Sequence, residues 1–138
     1  MINIYSSVYI LSRTKIGGYG YIIHQPSGLP IIHGYKRFEL ITNSKLELLC
    51  ALDCLKNLCK LDFQKSKVTF HCSSKYLMGV FANYDHRKSN YVNIINKIRE
   101  LSGLFDFKTE FTPIDPKNYW QSFSYTIARE ASMGNRIV

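Results

Sequence analysis

The chain has 138 residues, of which 46% are hydrophobic and 20% are charged. This composition is that of an ordinary globular protein and excludes an intrinsically disordered chain, and the length suits a single domain over residues 1–138. No apolar run approaches the roughly 18 residues that a membrane span requires. The first residues, MINIYSSVYIL, have neither a charged start nor a small-residue cleavage site, so we expect a protein of the cytoplasm or nucleus that is not secreted.

The formal net charge is +8, from 18 lysines and arginines against 10 acidic residues. This excess favours a polyanionic partner such as nucleic acid. A solvated cationic surface that only aids solubility is an equal alternative, because the basic residues are dispersed along the chain.

Four cysteines occur, at positions 50, 54, 59 and 72. Three share one predicted helix at spacings of four and five residues, which is neither a zinc knuckle nor a disulfide pattern. Cys50 and Cys54 lie on the apolar side of that helix, where a free thiol packs as a small hydrophobic group. His71 and Cys72 are two further candidate ligands, but nothing nearby supplies two more at zinc spacing, so we expect no metal and no cofactor.

The predicted elements are three strands, a helix, a strand, two helices, a strand and a final helix. In chain order they are strands at residues 2–11, Gly18–His24 and 29–40, a helix from Thr42 or Asn43 to about Lys60, the strand Val68–Cys72, a short helix capped by Ser73 or Ser74, an amphipathic helix ended by Gly103, an alternating strand at FDFKTEF, and a helix over Trp120–Met133. A turn at QPSG joins the second and third strands. This order, β-β-β-α-β-α-α-β-α, predicts an α/β fold with a five-stranded mixed sheet flanked by helices.

One acidic residue, Glu47, lies within the apolar part of the first predicted helix, SKLELLCALDCLKNLCK. At about 100° per residue it falls in line with Ala51 and Cys54, opposite the polar side, so it should face the sheet. We place it in the first turn, where the helix dipole supports an anion. Glu47 is then either a hydrogen-bonded core acid or a ligand for a divalent cation, and the second role requires further carboxylates at the same point.

Four local strings, in this order and spacing, resemble the ribonuclease H family over nearly the whole chain. They are Gly17-Gly18-Tyr19-Gly20 in the second strand, Thr42-Asn43-Ser44-Lys45-Leu46-Glu47-Leu48 at the start of the first helix, Cys72-Ser73-Ser74-Lys75-Tyr76 after the fourth strand, and Gln121-Ser122-Phe123-Ser124-Tyr125-Thr126-Ile127-Ala128 in the last helix. The resemblance implies a ribonuclease H-like fold. In that family four carboxylates hold two Mg²⁺ ions for phosphodiester cleavage.

The resemblance also implies that most of this catalytic set is missing. Carried over by position, the four acids fall on Ser7, Glu47, Ser73 and Tyr125, and only Glu47 is a carboxylate. The loop before the last helix, FTPIDPKNYWQ, lacks the family's histidine. We therefore expect a pseudo-nuclease in which Glu47 is a remnant, hydrogen-bonded to the other three hydroxyls. A divalent-metal nuclease with relocated ligands, such as Asp115, is the less favoured interpretation.

Nucleic-acid contacts follow from the same resemblance. The matching positions are Thr42, Asn43, Ser44 and Lys75. The basic insertion of some relatives is not evident in this chain, although Arg87 and Lys88 lie between helices in that region. We therefore expect binding of RNA/DNA hybrid or duplex without cleavage and without sequence specificity, through groove shape and 2′-hydroxyl contacts.

The competing expectation is a protein-interaction scaffold or inhibitor subunit on a dead nuclease fold, because a fold alone does not give function. Its candidate contacts are Tyr84, Tyr91, Tyr119 and Trp120, with core packing as the alternative role of these rings. The resemblance to polymerase-linked relatives and a composition rich in Asn, Ile, Lys and Tyr suggest a viral or mobile-element origin. A viral factory is then a further expected location.

Overall fold

The computed structural model describes residues 1–25, 31–61, 66–82 and 90–135. Within these ranges the elements are β1 (Ile2–Leu11), β2 (Ile16–His24), β3 (Ile32–Phe38), α1 (Asn43–Lys60), β4 (Lys67–Cys72), α2 (Lys75–Phe81), α3 (Val92–Ser102), β5 (Asp106–Phe111) and α4 (Tyr119–Ser132). The predicted α/β architecture and element order are therefore confirmed. None of the described helices combines the length and the apolar character that a membrane crossing needs.

The strands form one mixed sheet in the order β3-β2-β1-β4-β5. Neighbouring strands among β1, β2 and β3 pair antiparallel, whereas β4 lies parallel to both β1 and β5. The β1–β4 register places Ser6 beside Cys72, so the carboxyl ends of the paired segments meet near the centre of the sheet. The crossover between β4 and β5 runs through α2 and α3, as a parallel connection requires.

The GGYGY sequence of β2 explains how helices cover both faces of the sheet. Successive side chains of a strand point to opposite faces. On one face, the Tyr19 hydroxyl donates a 2.6 Å hydrogen bond to the Asp53 carboxylate of α1. On the other, a Cβ at Gly18 would lie 2.6 Å from the backbone of Ala128 and of Ser132 in α4. The glycines therefore let the α4 backbone approach the sheet closely.

The apolar core lies mainly between the sheet and α1, with α2 and α3 packed around it. Its largest fully buried side chains are Tyr21, Phe70, Ile2, Ile4, Ile22, Ile23, Leu46, Leu48, Leu55, Leu58, Leu77 and Ile95. Cys50 and Cys54 are buried in the same core as free thiols, as the core-packing interpretation predicted.

Some boundaries differ from the sequence expectation. The third strand is Ile32–Phe38 and ends before the predicted Leu40, while its predicted start at residue 29 lies outside the described residues. The last helix begins one residue earlier than predicted. The strand ends early because Leu40 adopts a left-handed backbone with φ of 51°, which a continuing strand does not allow. Most of the QPSG turn falls on residues 26–30, outside the described residues.

The helix starts settle two alternatives and correct one expectation. Thr42 is the N-cap of α1 and accepts a hydrogen bond from the Lys45 N–H, and Ser74 caps α2 by accepting from the Leu77 N–H. Glu47 is therefore the fifth residue of α1, beyond the first turn where we expected it. The helix dipole gives its carboxylate little support there, because that effect fades after the first turn.

The close contact between β2 and α4 predicts the effect of Gly18→Ala. The added methyl group would overlap backbone atoms that cannot rotate away, so we expect a loss of about 1–3 kcal/mol in the free energy of unfolding, measured in urea. Gly103→Ala is the matched control, because its added carbon would meet no atom closer than 3.4 Å. That control should be neutral or slightly stabilising, and equal losses in both variants would contradict the packing argument.

Candidate functional site

A small cavity of about 40 Å³ opens where the middle of β1 and the carboxyl end of β4 meet the first turns of α1 and the start of α2. It is lined by Ser6, Ser7, Val8, Glu47, Cys50, Cys72, Ser73, Ser74 and Leu77. The volume has room for one or two water molecules. The sheet register and the α1 start thus bring Ser7, Glu47 and Ser73, three of the four positions carried over from the resemblance, to one cavity.

Glu47 is buried, with 8% of the residue exposed, and its carboxylate accepts hydrogen bonds from two neutral groups. Asn43 donates from Nδ2 to Oε1 at 3.1 Å, and the Ser74 hydroxyl donates to Oε2 at 2.6 Å. Ser74 at the same time accepts the Leu77 N–H that starts α2, so Glu47 links the two helix starts. Burial raises the pKa of Glu47, and the hydrogen bonds from Ser74 and Asn43 oppose that rise in part.

Ser7 belongs to a separate hydrogen-bond network with α4. The Gln121 amide donates from Nε2 to the Ser7 hydroxyl at 3.1 Å and to the Ser6 carbonyl at 2.7 Å. The Ser124 hydroxyl donates to the Gln121 carbonyl, so its 2.7 Å contact with Ser7 has Ser7 as the donor. Every member of this network is neutral, and Gln121 and Ser124 are fully buried.

The structure corrects two expectations about these residues. Glu47 bonds Ser74 and Asn43 rather than the hydroxyls of the other three carried-over positions. The α4 residue that meets Ser7 is Ser124, whereas Tyr125 packs edge-on against Tyr9 with 5.6 Å between ring centroids. The reason is helical geometry, because one residue along α4 rotates the side chain by about 100°.

Residues expected to contact nucleic acid lie around the Glu47 side of the cavity. Thr42 and Asn43 are exposed at the start of α1, Ser44 is half-buried beside them, and the Thr42 hydroxyl lies 3.1 Å from that of Tyr91. Lys75 is exposed at the first position of α2, directly after the Ser74 that bonds Glu47. The structure therefore places these four residues close together beside the Glu47 cavity.

Four other sequence candidates have different outcomes. Arg87, Lys88 and Tyr84 lie outside the described residues. Asp115 accepts the Lys117 N–H at 2.8 Å in the loop before α4, which holds its carboxylate in a local turn.

The thiols and His71 have the environment of structural groups. Burial raises the pKa of Cys50 well above its usual value and that of Cys72 to about 11, so both remain thiols near neutral pH. His71 is held between the Thr112 hydroxyl and the Asn3 side-chain oxygen. In the part of the chain that the structure describes, no group of three or more His, Cys, Asp or Glu side chains could hold a metal ion.

The raised pKa of Glu47 makes stability depend on pH in a defined direction. Between the ordinary value of 4.5 and the raised folded value, the folded chain binds more protons than the unfolded chain, so the free energy of unfolding falls as pH rises. Glu47→Gln removes this loss. We expect the variant to gain stability relative to the native chain between about pH 4 and pH 7 in urea unfolding.

Glu100→Gln, on an exposed part of α3, is the control. It should leave unchanged the difference in free energy of unfolding between about pH 4 and pH 7. If instead the native chain became more stable relative to Glu47→Gln as pH rises, the result would indicate a stabilised anion at Glu47. A bound cation would produce that result, and the neutral surroundings described above would not.

The sequence matches no protein-family profile, and no curated protein is significantly similar to it. Solved structures do match. The N-terminal ribonuclease H domain of rv2228c from Mycobacterium tuberculosis, solved as a fusion with maltose-binding protein, aligns with a TM-score of 0.80 at 13% identity over 96% of this chain and 94% of that chain.

Two further structures agree with this match. Ribonuclease H1 from the halophilic archaeon Halobacterium salinarum NRC-1 aligns with a TM-score of 0.75 at 16% identity over 96% of this chain and 98% of that chain. LC11 ribonuclease H1, solved in complex with an RNA/DNA hybrid, aligns with a TM-score of 0.80 at 16% identity over 97% of this chain and 98% of that chain. At such identities the likeness establishes the fold alone. Over nearly its whole length, this chain has the ribonuclease H fold.

Proposed function

We propose that this chain is a catalytically inactive protein with a ribonuclease H fold that binds RNA/DNA hybrid or duplex nucleic acid without cleaving it. The observation that carries the proposal is the donor set of the cavity between the middle of β1 and the carboxyl end of β4. Its single carboxylate, Glu47, is surrounded by serine hydroxyls and buried thiols.

This donor set does not fit two magnesium ions. Mg²⁺ prefers carboxylate and water oxygens, and two such ions close together need several negative ligands against their mutual repulsion. Ser7 and Ser124 are engaged with each other and with Gln121, and Glu47 is engaged with Asn43 and Ser74. We therefore derive no cleavage step for this site.

The neutral hydroxyls at Ser7, Ser73 and Tyr125, which stand where the family has carboxylates, also favour nucleic-acid binding. Carboxylates at these positions would repel phosphates, whereas neutral hydroxyls do not, and the chain carries a net charge of +8. LC11 ribonuclease H1, which shares the fold, was solved with an RNA/DNA hybrid, and we extend hybrid binding to this chain as part of the proposal. Thr42, Asn43 and Ser44 would contact the minor groove and backbone, and Lys75 a phosphate.

A gel shift on hybrid, double-stranded RNA and double-stranded DNA at about 50 and 200 mM salt tests the binding proposal. Electrostatic binding should be tightest at the lower salt and should weaken steeply at the higher. Absence of any shift at the lower salt would overturn it. That result would favour the protein-interaction scaffold instead.

Lys75→Glu tests which surface is used. Removing one phosphate contact and adding a negative charge should weaken duplex binding roughly tenfold at about 50 mM salt and lower the salt slope by about one. Lys60→Glu is the control, because Lys60 is also exposed but lies at the end of α1, whereas Lys75 lies near its start. This variant should have a much smaller effect. Equal effects of the two variants would place the contact elsewhere.

The inactive part of the proposal has its own measurement. Labelled hybrid incubated with the native chain and Mg²⁺ or Mn²⁺ should remain intact. Cleavage that disappears in Glu47→Gln would overturn the proposal, because it would make the single carboxylate a working metal ligand.

A further inference from the structure

A second and larger cavity, of about 330 Å³, lies between the sheet and the start of α4. We call it the aromatic cleft; it is lined by Tyr5, His71, Glu110, Thr112, Lys117, Asn118, Tyr119 and Trp120. It shares no lining residue with the cavity that contains Glu47. Its volume is at the lower end of the range for sites that bind small organic groups.

The floor of the aromatic cleft is a stacked pair of flat rings. Tyr5 of β1 and His71 of β4 lie with centroids 4.5 Å apart and ring planes 11° apart. His71 is fixed on both sides of its ring, by the Thr112 hydroxyl at 2.9 Å and the Asn3 side-chain oxygen at 3.0 Å. Burial lowers the pKa of His71, so this ring is neutral near pH 7 and presents a flat surface rather than a charge.

The first turn of α4 adds a second group of rings. Trp120 stacks on His24 at 5.2 Å, and Tyr119 meets Trp120 edge-on at 4.9 Å. Tyr119 is 63% exposed, and Phe123, one turn further, is 41% exposed. Tyr119 and Phe123 stack with 6.2 Å between centroids, so the exposed rings form one contiguous apolar patch, the kind of surface that marks a binding site.

Polar groups surround these rings. Glu110 and Lys117 are exposed, and among the described residues neither forms an ion pair. Lys108 lies two residues before Glu110 on β5, on the same face of the strand, and Glu110 pairs with His71 in the β4–β5 register, so both charges lie near the floor. The half-buried Tyr5 hydroxyl makes no hydrogen bond to another described residue. The cleft thus combines flat apolar surfaces with acceptors, donors and two cations at its margin.

We propose that the aromatic cleft binds an unpaired nucleobase of single-stranded RNA or DNA. Rings on the sheet and on α4 would stack on the base, Glu110 and Asn118 would meet its polar edge, and Lys108 and Lys117 would contact the adjoining phosphates. Base–aromatic stacking tolerates every base, so this site needs no sequence specificity.

The charge distribution favours this ligand over the aromatic side chain of a protein. A phosphodiester chain matches both the marginal lysines and the net charge of +8. Bases inside a duplex are stacked on one another and cannot enter such a cleft, so the ligand must be unpaired. The inference does not depend on duplex binding near Lys75.

Trp120 supplies a direct probe, because it is the only tryptophan in the sequence. Titration with an oligothymidylate of roughly ten nucleotides should quench its fluorescence and reach saturation. Tyr119→Ala should weaken the binding roughly tenfold, which is the typical effect of losing one stacking partner. Tyr35→Ala is the matched control, since this tyrosine is 41% exposed on β3 and does not line the cleft.

Three outcomes would overturn the proposal: no saturable quenching at about 50 mM salt, equal effects of Tyr119→Ala and Tyr35→Ala, or equal quenching by inorganic polyphosphate, which carries the charge but no base. Lys75→Glu separates this proposal from the previous one, because it should weaken duplex binding and leave the fluorescence titration unchanged. Loss of both signals in Lys75→Glu would mean one continuous site and would overturn a separate cleft.

Discussion

The arrangement of both candidate sites depends on how closely α4 approaches β2. Gly18 and Gly20 present no side chain to that helix, and a Cβ on either would lie within 2.8 Å of its backbone. This contact brings the first turns of α4 down onto β1. Gln121 and Ser124 then reach the buried Ser7, and Trp120 reaches the margin of the aromatic cleft. The glycines of β2 therefore position groups that belong to neither β2 nor its neighbours in sequence.

The Glu47 cavity shows how a single acid is accommodated at the centre of such a fold. Burying a carboxylate costs free energy unless it accepts hydrogen bonds. Asn43 and Ser74 provide two, and Ser74 is also the residue that starts α2. The carboxylate consequently connects the start of α1 to the start of α2, which is a structural role that needs no metal. On the other side of the cavity, Ser7 satisfies its hydroxyl through α4, so the two halves are bonded independently.

The element order, the caps at Thr42 and Ser74 and the inward direction of Glu47 could be predicted from sequence, because each depends on local periodicity or on a short motif. The partners of Glu47 and Ser7 could not. Ser74 and Ser124 differ from the expected Ser73 and Tyr125 by a single position, and a resemblance carried over by alignment does not resolve which neighbour points inward. The aromatic cleft could not be predicted either, although Tyr119 and Trp120 are ring candidates in the sequence, because its lining comes from β1, β4, β5, the loop after β5 and α4 and shares no motif. Only the sheet register brings Tyr5 next to His71.

The surface around Glu47 and Lys75 and the aromatic cleft differ in whether their acidic side chain is exposed, and this difference argues for different ligands. Around Glu47 the acid is buried and accepts hydrogen bonds from Asn43 and Ser74, while Lys75 is exposed nearby, so an approaching phosphate contacts a cation first. In the aromatic cleft the acid Glu110 is exposed, between Lys108 on the same strand and Lys117 before α4. A phosphate would be repelled from Glu110, whereas the amino group of a base could donate to it. The first surface therefore suits a duplex backbone, and the second suits a base whose phosphates remain outside at the lysines.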